Sequence, residues 1–384
     1  MKKKIRIAMI GGGPGSFIGN IHRIAMRLDN DYDLIAGAFS SSLEKSKTTG
    51  EELGLDPSRI YPDYTTLIKK ELQLPAEDRI EAVSIVTPNH LHFAPAKLAL
   101  ENGIHVVLDK PATLSLSEAL ELQKVLENST AKFCLTHTYT GYPMVKEARY
   151  QVLSGNLGKI KKVVVSYPQG WLSKAASPDN KQAAWRTDPT KSGIAGAMGD
   201  IGTHAFNLLE YVSGLKVTAI SAQVNTIVPH RLLDDDGGAF LQLENGGVGV
   251  LLASQVATGE ENNLSISVYG EYAGLKWEQS DNESLIIKNL EAPDVILRRG
   301  EGYLSSYAKH NSRTPSGHPE GYLEAFANIY HNFALSLHAF ENGEEPQKEW
   351  LDFPGIEEAV RGMAFIETII QNGKSYDKWT NFPL

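Results

Sequence analysis

Three side chains have the types and the placement that proton transfer at a carbon-bound oxygen requires. The segment GDIGTH places Asp200 and His204 four residues apart, and Lys110 ends the apolar run IHVVLDK. Residues four apart in a helix share one face, and the positive end of the helix dipole favours the neutral imidazole that a general base needs. Asp200 can then orient His204, while Lys110 can stabilise negative charge on a reacting oxygen. The pattern predicts general base catalysis beside an electrostatic donor.

Each of these residues also has an ordinary structural interpretation. Asp200 would be a helix N-cap, His204 a histidine without chemistry in a first turn, and Lys110 an exposed lysine at a strand end. The sequence also leaves open which of His204 and Lys110 is the base.

An alternating pattern in the first third of the chain gives Lys110 its position. Short apolar runs that alternate with helix-period segments are typical of a parallel sheet covered by helices. The predicted strands are residues 6–10, 34–39, 82–86, 104–108 and 132–135. Lys110 follows the fourth strand, at the carboxyl edge where open parallel sheets bind their ligands.

Helix signals separate these strands. Helical spacing predicts a first helix with one buried stripe, formed by Phe17, Ile21, Ile24, Ala25 and Leu28. Ser41 and Glu44 have capping-box spacing and predict the start of a further helix. Ser115 and Glu118 have the same spacing. Gly103 follows another helix at a position that needs a left-handed cap.

The second half of the chain has longer strands and a different order. Strands are predicted within residues 159–167, 217–224, 239–256, 264–270 and 284–288. Asn245 and Gly246 mark a hairpin turn, so this part is predicted to be mainly antiparallel. Two late helices, at residues 322–340 and 356–371, would cover one face of the sheet or pack back on the first domain. We therefore predict two domains, residues 1–136 and 137–384.

Composition supports two folded domains and excludes some partners. A chain of 384 residues exceeds the size at which one core stops growing. Hydrophobic residues make up 42% and charged residues 22%, which is usual for globular proteins. The formal net charge of -9 gives little attraction to phosphate backbones, so nucleic acid is not an expected partner.

The remaining sequence signals favour a cytoplasmic protein without membrane contacts. The apolar stretch after the basic start MKKK is only about six residues long, too short for a signal-peptide core. No stretch approaches the roughly 20 apolar residues of a membrane span. The single cysteine, Cys134, cannot form an internal disulfide and lies in the apolar run KFCL, which indicates a buried thiol.

A glycine cluster between the first strand and the first helix suggests a phosphate-binding turn. Glycines let the backbone approach a pyrophosphate, and a helix N-terminus supplies N–H groups and positive dipole charge. Gly11 and Gly13 fit the pattern G-x-G-x-x-G, but Ser16 occupies its third position, so a merely tight turn is the alternative. The cofactor contacts expected here are Gly11, Gly13, Gly15, Ser16, Phe17 and Ile18.

The end of the second strand bears on the choice of nucleotide. An acidic residue there would grip the ribose hydroxyls of NAD, but this chain has Ser40 and Ser41, with Lys45 a turn further on. Without that acid, hydroxyls and a lysine could bind a 2′-phosphate, so the sequence favours NADP modestly over NAD. In the alternative interpretation Ser41 only starts the next helix, while Ser40 still faces the ribose.

Four stretches together resemble the glucose-fructose and inositol oxidoreductases, or Gfo/Idh/MocA family. They are the glycine turn, VTPNHLHFAPAKLALENGIHVVLDKPATLSLSEA, WRTDPTKSGIAGAMGDIGTHAFNLLEY and GHPEGYLEAFANIYHNF. The family usually has Glu-Lys-Pro where this chain has Asp109, Lys110 and Pro111, a change that keeps both the charge and the lysine. Its Asp and His pair matches Asp200 and His204.

The resemblance implies a fold class of α/β plus α+β. An N-terminal Rossmann dinucleotide-binding domain would precede a C-terminal, open, mainly antiparallel sheet domain, assembled as homodimers or homotetramers through that sheet. The implied activity is hydride transfer between NAD or NADP and a secondary hydroxyl or ketone of a sugar, sugar derivative or inositol. In that reaction His204 takes the hydroxyl proton, Asp200 orients the imidazole and Lys110 binds the reacting oxygen.

The resemblance also implies further site residues. The cofactor near its nicotinamide would be lined by Thr87, Pro88, Asn89, His92, Asp109 and Lys110. Trp185 and Arg186 fall where the family contacts cofactor or substrate, and His137 and Tyr139 would enter the substrate pocket. His318 lies in a loop rich in Ser, Gly and Pro that would cap this pocket and influence substrate choice.

Three other functions compete with this interpretation. A zinc enzyme could use His92, His137, Asp200 and His204, but the chain lacks a compact ligand motif such as H-E-x-x-H, and no metal is expected. A regulator could sense NADP without turnover, although it would not need the lysine, aspartate and histidine together. A glycoside-processing enzyme could oxidise a sugar carbon transiently with retained NAD.

Overall fold

The computed structural model of the protein describes residues 3–175 and 181–384 and divides into two compact units. The first unit comprises the chain up to Thr138 together with Leu323–Val360. The second unit comprises Tyr139–Tyr322 and Arg361–Leu384.

The first unit is built on a five-stranded parallel sheet. Its strands are β1 (Ile5–Gly11), β2 (Tyr32–Ala38), β3 (Ala82–Val86), β4 (His105–Leu108) and β5 (Phe133–Leu135), in the order β2-β1-β3-β4-β5. All four strand pairs are parallel. The strands are almost wholly buried because helices cover both faces of such a sheet. The predicted Rossmann-type domain is confirmed, with strand ends that differ by one or two residues.

Five helices alternate with these strands. They are α1 (Phe17–Leu28), α2 (Leu43–Glu52), α3 (Tyr64–Glu71), α4 (Phe93–Glu101) and α5 (Leu116–Glu127). Ser115 caps α5 as predicted, and Gly103 has a φ of 72° after α4. The start of α2 was predicted one residue early, because Ser42 rather than Ser41 accepts the N–H of Lys45.

The predicted buried stripe of α1 is wrong in part. Phe17 and Leu28 at its two ends are 59% and 44% exposed. The buried face consists of Gly19, Ile21, His22, Ala25 and Met26. It includes a fully buried histidine with polar partners elsewhere in the chain, which a stripe defined by apolar residues alone does not reveal.

The second unit contains a nine-stranded sheet. Its strands are β6 (Lys162–Pro168), β7 (Val217–Asn225), β8 (Asp236–Leu243), β9 (Val248–Ser254), β10 (Ser265–Tyr269), β11 (Ala273–Glu278), β12 (Ser284–Asn289), β13 (Val295–Arg298) and β14 (Thr380–Asn381). The order is β13-β12-β11-β10-β6-β9-β8-β7-β14, and every pair is antiparallel except β6 with β9. The mainly antiparallel prediction is confirmed.

The predicted hairpin joins β8 to β9. Gly246 has a φ of 84°, and Asn245 Oδ1 accepts the N–H of Gly247 at 2.8 Å. Three strands of this sheet were not predicted, namely β11, β13 and β14. β11 begins with Ala and Gly, which do not favour strands, and β13 is an exposed edge strand without a buried apolar face.

Seven further helices lie in the described residues. They are α6 (Pro143–Leu153), α7 (Lys181–Arg186), α8 (Pro189–Ser192), α9 (Thr203–Ser213), α10 (Ser306–His310), α11 (Tyr322–Glu341) and α12 (Ile356–Gly373). From Leu323 on, α11 belongs to the first unit, where the Tyr32 hydroxyl donates to the carbonyl of Tyr330 at 2.8 Å. Most of α12 belongs to the second unit, where Phe365 stacks on Phe206.

Among the described helices, none combines the length and the apolar composition that crossing a bilayer would need.

Candidate functional site

The glycine turn after β1 brings backbone atoms close together. Gly11 has a φ of 86°, and a Cβ there would come within 2.9 Å of the Thr87 side chain. A Cβ on Gly13 would lie 2.7 Å from the carbonyl oxygen of Phe39. Gly15, with a φ of 77°, borders open space. The turn therefore leaves room in front of the N-terminus of α1, as a phosphate-binding turn requires.

The third glycine of the motif is displaced in this chain. Ser16 is the N-cap of α1, and its Oγ accepts the N–H of Gly19 at 3.1 Å. A Cβ on Gly19 would overlap Cα of Gly12, so Gly19 allows the close packing of helix on strand that the third glycine normally allows. Sequence reasoning missed Gly19 because the motif was read at fixed spacing. Phe17 and Ile18 occupy the first turn of α1, next to the proposed phosphate position.

The segment after β2 carries no carboxylate before Glu44. Ser40 is tied into the loop, because its Oγ accepts the N–H of Ser42 at 3.2 Å and its own N–H donates to Ser46 Oγ at 3.0 Å. Ser41 and Lys45 are exposed. Because no carboxylate precedes Glu44 in this loop, charge repulsion there would not exclude a 2′-phosphate.

His92 links two loops at the carboxyl edge of the sheet. The ring is fully buried, with Nδ1 at 2.8 Å from the carbonyl of Pro111 and Nε2 at 2.8 Å from the carbonyl of Thr87. Burial lowers the pKa of His92, and the neutral ring has one N–H to donate. Both ring nitrogens of His92 face backbone oxygens, so the ring has a structural role in this loop. Its place in the lining of the cofactor site stays a prediction. Pro88 and the buried Asn89 lie in the loop that it holds.

Asp109 is an ionised carboxylate directly before Lys110. Burial acts to raise its pKa, but His22, Lys110 and His92 outweigh burial and hold the pKa at about 2. Thr136 Oγ1 donates to Asp109 Oδ1 at 3.1 Å. The Lys110–Pro111 peptide bond is cis. Lys110 is half-buried and follows β4 at the carboxyl edge of the sheet, as predicted.

His137 contributes a neutral ring to the same edge. It follows β5 after one residue and is 2% exposed. Burial and the positive charge of Lys110 lower its pKa to about 3. At neutral pH His137 can therefore donate one hydrogen bond and accept another, but it cannot supply a proton as an imidazolium.

Asp200 occupies a π-helical turn, Met198–Gly202, that runs into α9. Its N–H donates to the carbonyl of Gly196 at 2.8 Å, so the residue lies within the helical turn and is not an N-cap. Gln255 Nε2 donates to Asp200 Oδ2 at 2.9 Å, and Arg186 Nε lies 3.3 Å from the same oxygen. Turns of this kind are frequent at functional sites.

These contacts revise the expected role of Arg186. Its guanidinium lies 4.4 Å from the ring centre of Trp185 and pairs with the Asp200 carboxylate. Arg186 therefore helps to hold Asp200, in addition to the predicted contact with cofactor or substrate. Gln255 was not predicted, because an isolated glutamine after a strand belongs to no motif.

His204 lies in α9 and packs against an aromatic cluster. Its ring is 8% exposed and stands edge-on to Tyr139, with centroids 4.9 Å apart. The Tyr139 hydroxyl contacts the hydroxyl of Tyr167 and the amide of Asn262, and burial raises the Tyr139 pKa. The structure therefore brings the predicted residues Tyr139 and His204 together within the second unit.

The predicted capping loop is anchored by its backbone. The His318 side chain is exposed, but its carbonyl accepts from Arg299, whose guanidinium also pairs with the buried Glu320 at 3.0 Å. His318 thus lies on a firmly held loop, with its ring directed to the surface.

In the part of the chain that the structure describes, one group of side chains is close enough to share a metal ion. Asp29, Asp31 and His331 have donor atoms within 4.8 Å of one another, and His331 Nδ1 lies 2.5 Å from Asp31 Oδ2. This group contains none of the four residues considered above as zinc ligands. It is explained by the hydrogen bond between His331 and Asp31.

Two family models match the chain. The model for the oxidoreductase family with an NAD-binding Rossmann fold matches residues 5–137, and the GFO/IDH/MocA C-terminal domain matches residues 145–276.

Curated relatives extend the likeness over the whole chain. The uncharacterized oxidoreductase YfiI of Bacillus subtilis (strain 168) is 31% identical over 100% of this chain and 98% of its own. The levoglucosan dehydrogenase of Pseudarthrobacter phenanthrenivorans is 25% identical over 78% of this chain and 79% of its own.

A solved structure is similar throughout. The inositol dehydrogenase homolog from Azotobacter vinelandii in complex with NAD+ is 34% identical, has a TM-score of 0.93 and covers 100% of this chain and 98% of its own. The same homolog with NADH and myo-inositol is 33% identical with a TM-score of 0.91, at the same coverage. Since two family models and a full-length relative agree, the chain belongs to the Gfo/Idh/MocA family of NAD-binding oxidoreductases.

Proposed function

We propose that the protein transfers a hydride between a nicotinamide nucleotide and a secondary hydroxyl or ketone of a sugar, sugar derivative or inositol. The observation that carries the proposal is the group at the carboxyl edge of the parallel sheet. There the half-buried Lys110 follows an ionised Asp109 and lies near a neutral, buried His137, in the same unit as the glycine turn. A bound NAD or NADP would supply the nicotinamide carbon that accepts or returns the hydride.

The side chains of the chain have separate tasks in this reaction. His204 takes the proton of the substrate hydroxyl, and Asp200 keeps the imidazole in the orientation that a base needs. Lys110 donates a hydrogen bond to the reacting oxygen and stabilises its developing negative charge. Which of His204 and Lys110 finally holds the proton stays open. The neutral ring of His137 and the hydroxyl of Tyr139 are suited to binding other hydroxyls of the substrate.

Both nucleotides are candidate cofactors. Ser40, Ser41 and Lys45 favour NADP, whereas the similar Azotobacter vinelandii structure contains NAD+, so the NADP preference stays a prediction. A ratio of kcat/KM for the two nucleotides tests it. Ser40→Asp should shift this ratio toward NAD, since a carboxylate repels a 2′-phosphate and binds ribose hydroxyls.

The substrate class follows from hydroxyl-binding groups and from the relatives. Neutral hydrogen-bonding groups such as His137 and Tyr139 suit the hydroxyls of a polyol. One similar structure contains myo-inositol, and one relative is named for levoglucosan, so cyclic polyols and anhydro sugars are the first compounds to test.

A homodimer or homotetramer is proposed through the sheet of the second unit. Phe240, Val248 and Leu252 lie on neighbouring strands β8 and β9 and are 63%, 49% and 50% exposed. Exposed apolar side chains in this number mark an association surface. Light scattering should give a mass above 42.1 kDa, and Phe240→Glu should lower it. The cytoplasmic location stays a prediction.

One experiment tests the proposed function. The purified protein is incubated with each nucleotide and a panel of inositols, aldoses and anhydro sugars, and the absorbance of reduced nicotinamide is followed. Substrate-dependent appearance of free reduced nucleotide is expected, and Lys110→Ala should bind nucleotide normally but lose most turnover. Absence of reduction with every compound would contradict the proposal. Product formation without released reduced nucleotide would instead support chemistry with retained NAD.

A further inference from the structure

His22 is a fully buried histidine in α1 that no step of the proposed reaction uses. Its Nδ1 lies 2.7 Å from the hydroxyl of Tyr330, and the hydroxyl of Ser84 lies 2.9 Å from the same oxygen. Phe326 packs against the ring with centroids 4.7 Å apart. One side of the imidazole is therefore fixed by polar and aromatic contacts from β3 and α11.

The other ring nitrogen of His22 faces a charge. Nε2 is buried and has no hydrogen-bond partner among the described residues. It lies 3.7 Å from Oδ1 of Asp109, too far for a direct hydrogen bond but close enough for a strong electrostatic interaction where water is excluded.

The neighbours of His22 select one tautomer. Burial raises the pKa of Tyr330 well above its ordinary value, so the phenol keeps its proton and can donate it to Nδ1. Ser84 can then donate to the Tyr330 oxygen. If Nδ1 carried the proton instead, the lone pair of Nε2 would point at the Asp109 carboxylate, which is unfavourable. In the neutral ring and in the imidazolium alike, an N–H is thus at Nε2 and points at Asp109.

Asp109 and its neighbours form a turn that is held at several points. Its N–H donates to the carbonyl of Ile85 at 3.1 Å, and its carboxylate accepts from Thr136 at 3.1 Å. The ring of His92 contacts the carbonyl of Pro111. His22 reaches the same carboxylate from inside the unit, so these contacts fix both ends of a turn whose central residue is Lys110.

We propose that His22 is a positioning residue, which acts through the Asp109 carboxylate to fix the turn that presents Lys110. The inference rests on the proposed role of Lys110. His22 does not touch the substrate in this account, and its effect depends on the N–H at Nε2 rather than on the size of the ring.

Two substitutions distinguish the contribution of the Nδ1 atom of His22 from that of the Nε2 atom. Asparagine places its amide near the Nδ1 position and can keep the Tyr330 contact, whereas glutamine reaches the Nε2 position and can keep an N–H toward Asp109. His22→Asn should lower kcat about tenfold with little change in the KM for nucleotide. His22→Gln should restore most of that loss, and equal losses in both variants would overturn the proposal.

A second measurement does not depend on turnover. Carbon-13 NMR of the Asp109 carboxyl should give a pKa near 2 in the parent protein, a higher pKa in His22→Asn and a nearly unchanged one in His22→Gln. An unchanged pKa of Asp109 in a folded His22→Asn variant would contradict the link between the two residues.

If His22→Asn does not fold, Tyr330→Phe replaces it. A smaller loss of kcat and the same direction of change in the Asp109 pKa are then expected. Normal turnover in Lys110→Ala would instead disprove the role of Lys110, while the pKa would still test His22.

Discussion

The group around Lys110 and the group around His204 are held in different ways. In the first unit, Asp109 is fixed by Thr136, by the buried His22 and by its own backbone, and His92 contacts only carbonyl oxygens. In the second unit, the side chains of Gln255 and Arg186 contact the Asp200 carboxylate, and the Asp200 N–H donates to the carbonyl of Gly196.

The difference indicates how each group can be changed. Contacts between buried rings and the backbone belong to the core of the first unit, so removing them should reduce stability as well as turnover. Amide and guanidinium contacts to Asp200 orient a half-buried carboxylate, so removing them should affect turnover with little loss of stability. Two predictions test this contrast, and a third concerns how the stability of the protein depends on pH.

Of these three predictions, the largest effect is expected at Gln255. Gln255→Met keeps the length of the side chain but removes the amide that donates to Asp200. Because Asp200 orients the imidazole that acts as the base, losing its amide partner should lower kcat about 10- to 100-fold. The free energy of unfolding, measured with urea, should change by less than about 1 kcal/mol. Gln73→Met, the same change at an exposed glutamine, is the control and should alter neither quantity. Equal losses of stability and turnover in Gln255→Met would remove the contrast.

A smaller effect, on stability, is expected at His92. His92→Leu fills the buried space but leaves the carbonyls of Thr87 and Pro111 without the ring nitrogens that face them. The free energy of unfolding should fall by about 1–3 kcal/mol, because a buried polar group that loses its partner has a cost of that size. Urea unfolding followed by circular dichroism measures the change. A variant as stable as the parent would show that the two loops do not depend on this ring.

The smallest effect concerns pH. Burial is the main cause that lowers the pKa of His105 to about 4, and its Nδ1 accepts the N–H of Lys132 at 3.0 Å. In the unfolded chain His105 binds a proton below about pH 6.5, whereas in the folded protein it binds one only below about pH 4. The free energy of unfolding therefore decreases as the pH falls through this range. His137, with a pKa of about 3, extends the loss to lower pH.

His105→Asn isolates this contribution, since asparagine keeps an acceptor near the Nδ1 position but does not titrate. Between pH 6.5 and 4, the free energy of unfolding of the variant should fall less steeply than that of the parent protein. The two slopes should differ by about 1 kcal/mol per pH unit. Urea midpoints at a series of pH values give the slope. Identical slopes in parent and variant would show that His105 titrates normally in the folded protein.

Local patterns allowed most of the first unit to be predicted from the sequence. Its strands are short apolar runs bounded by polar residues, and Lys110 follows one of them directly, so its place at the carboxyl edge required no tertiary information. Asp200 and His204 were predicted to act together for a similar reason, because four residues along one helical segment define their spacing.

Contacts between distant residues were not predictable in this way. Tyr330 lies 308 residues from His22, and Gln255 lies 55 residues from Asp200. Neither spacing forms a motif, and a buried polar residue such as His22 disturbs the apolar stripe that was used to place α1. The displaced glycine at position 19 shows the same limit, since its role depends on where the helix meets Gly12.

We propose that Lys110 and His204 serve the same chemical step of the reaction. A double-mutant cycle with Lys110→Ala and His204→Ala tests it most directly, with kcat measured under single-turnover conditions for an accepted polyol. Each single variant should lose about 100- to 1,000-fold, and the double variant should be scarcely slower than the slower single variant, because residues that act as a unit are not additive. Losses that multiply in the double variant, or a single variant with nearly normal kcat, would contradict the account.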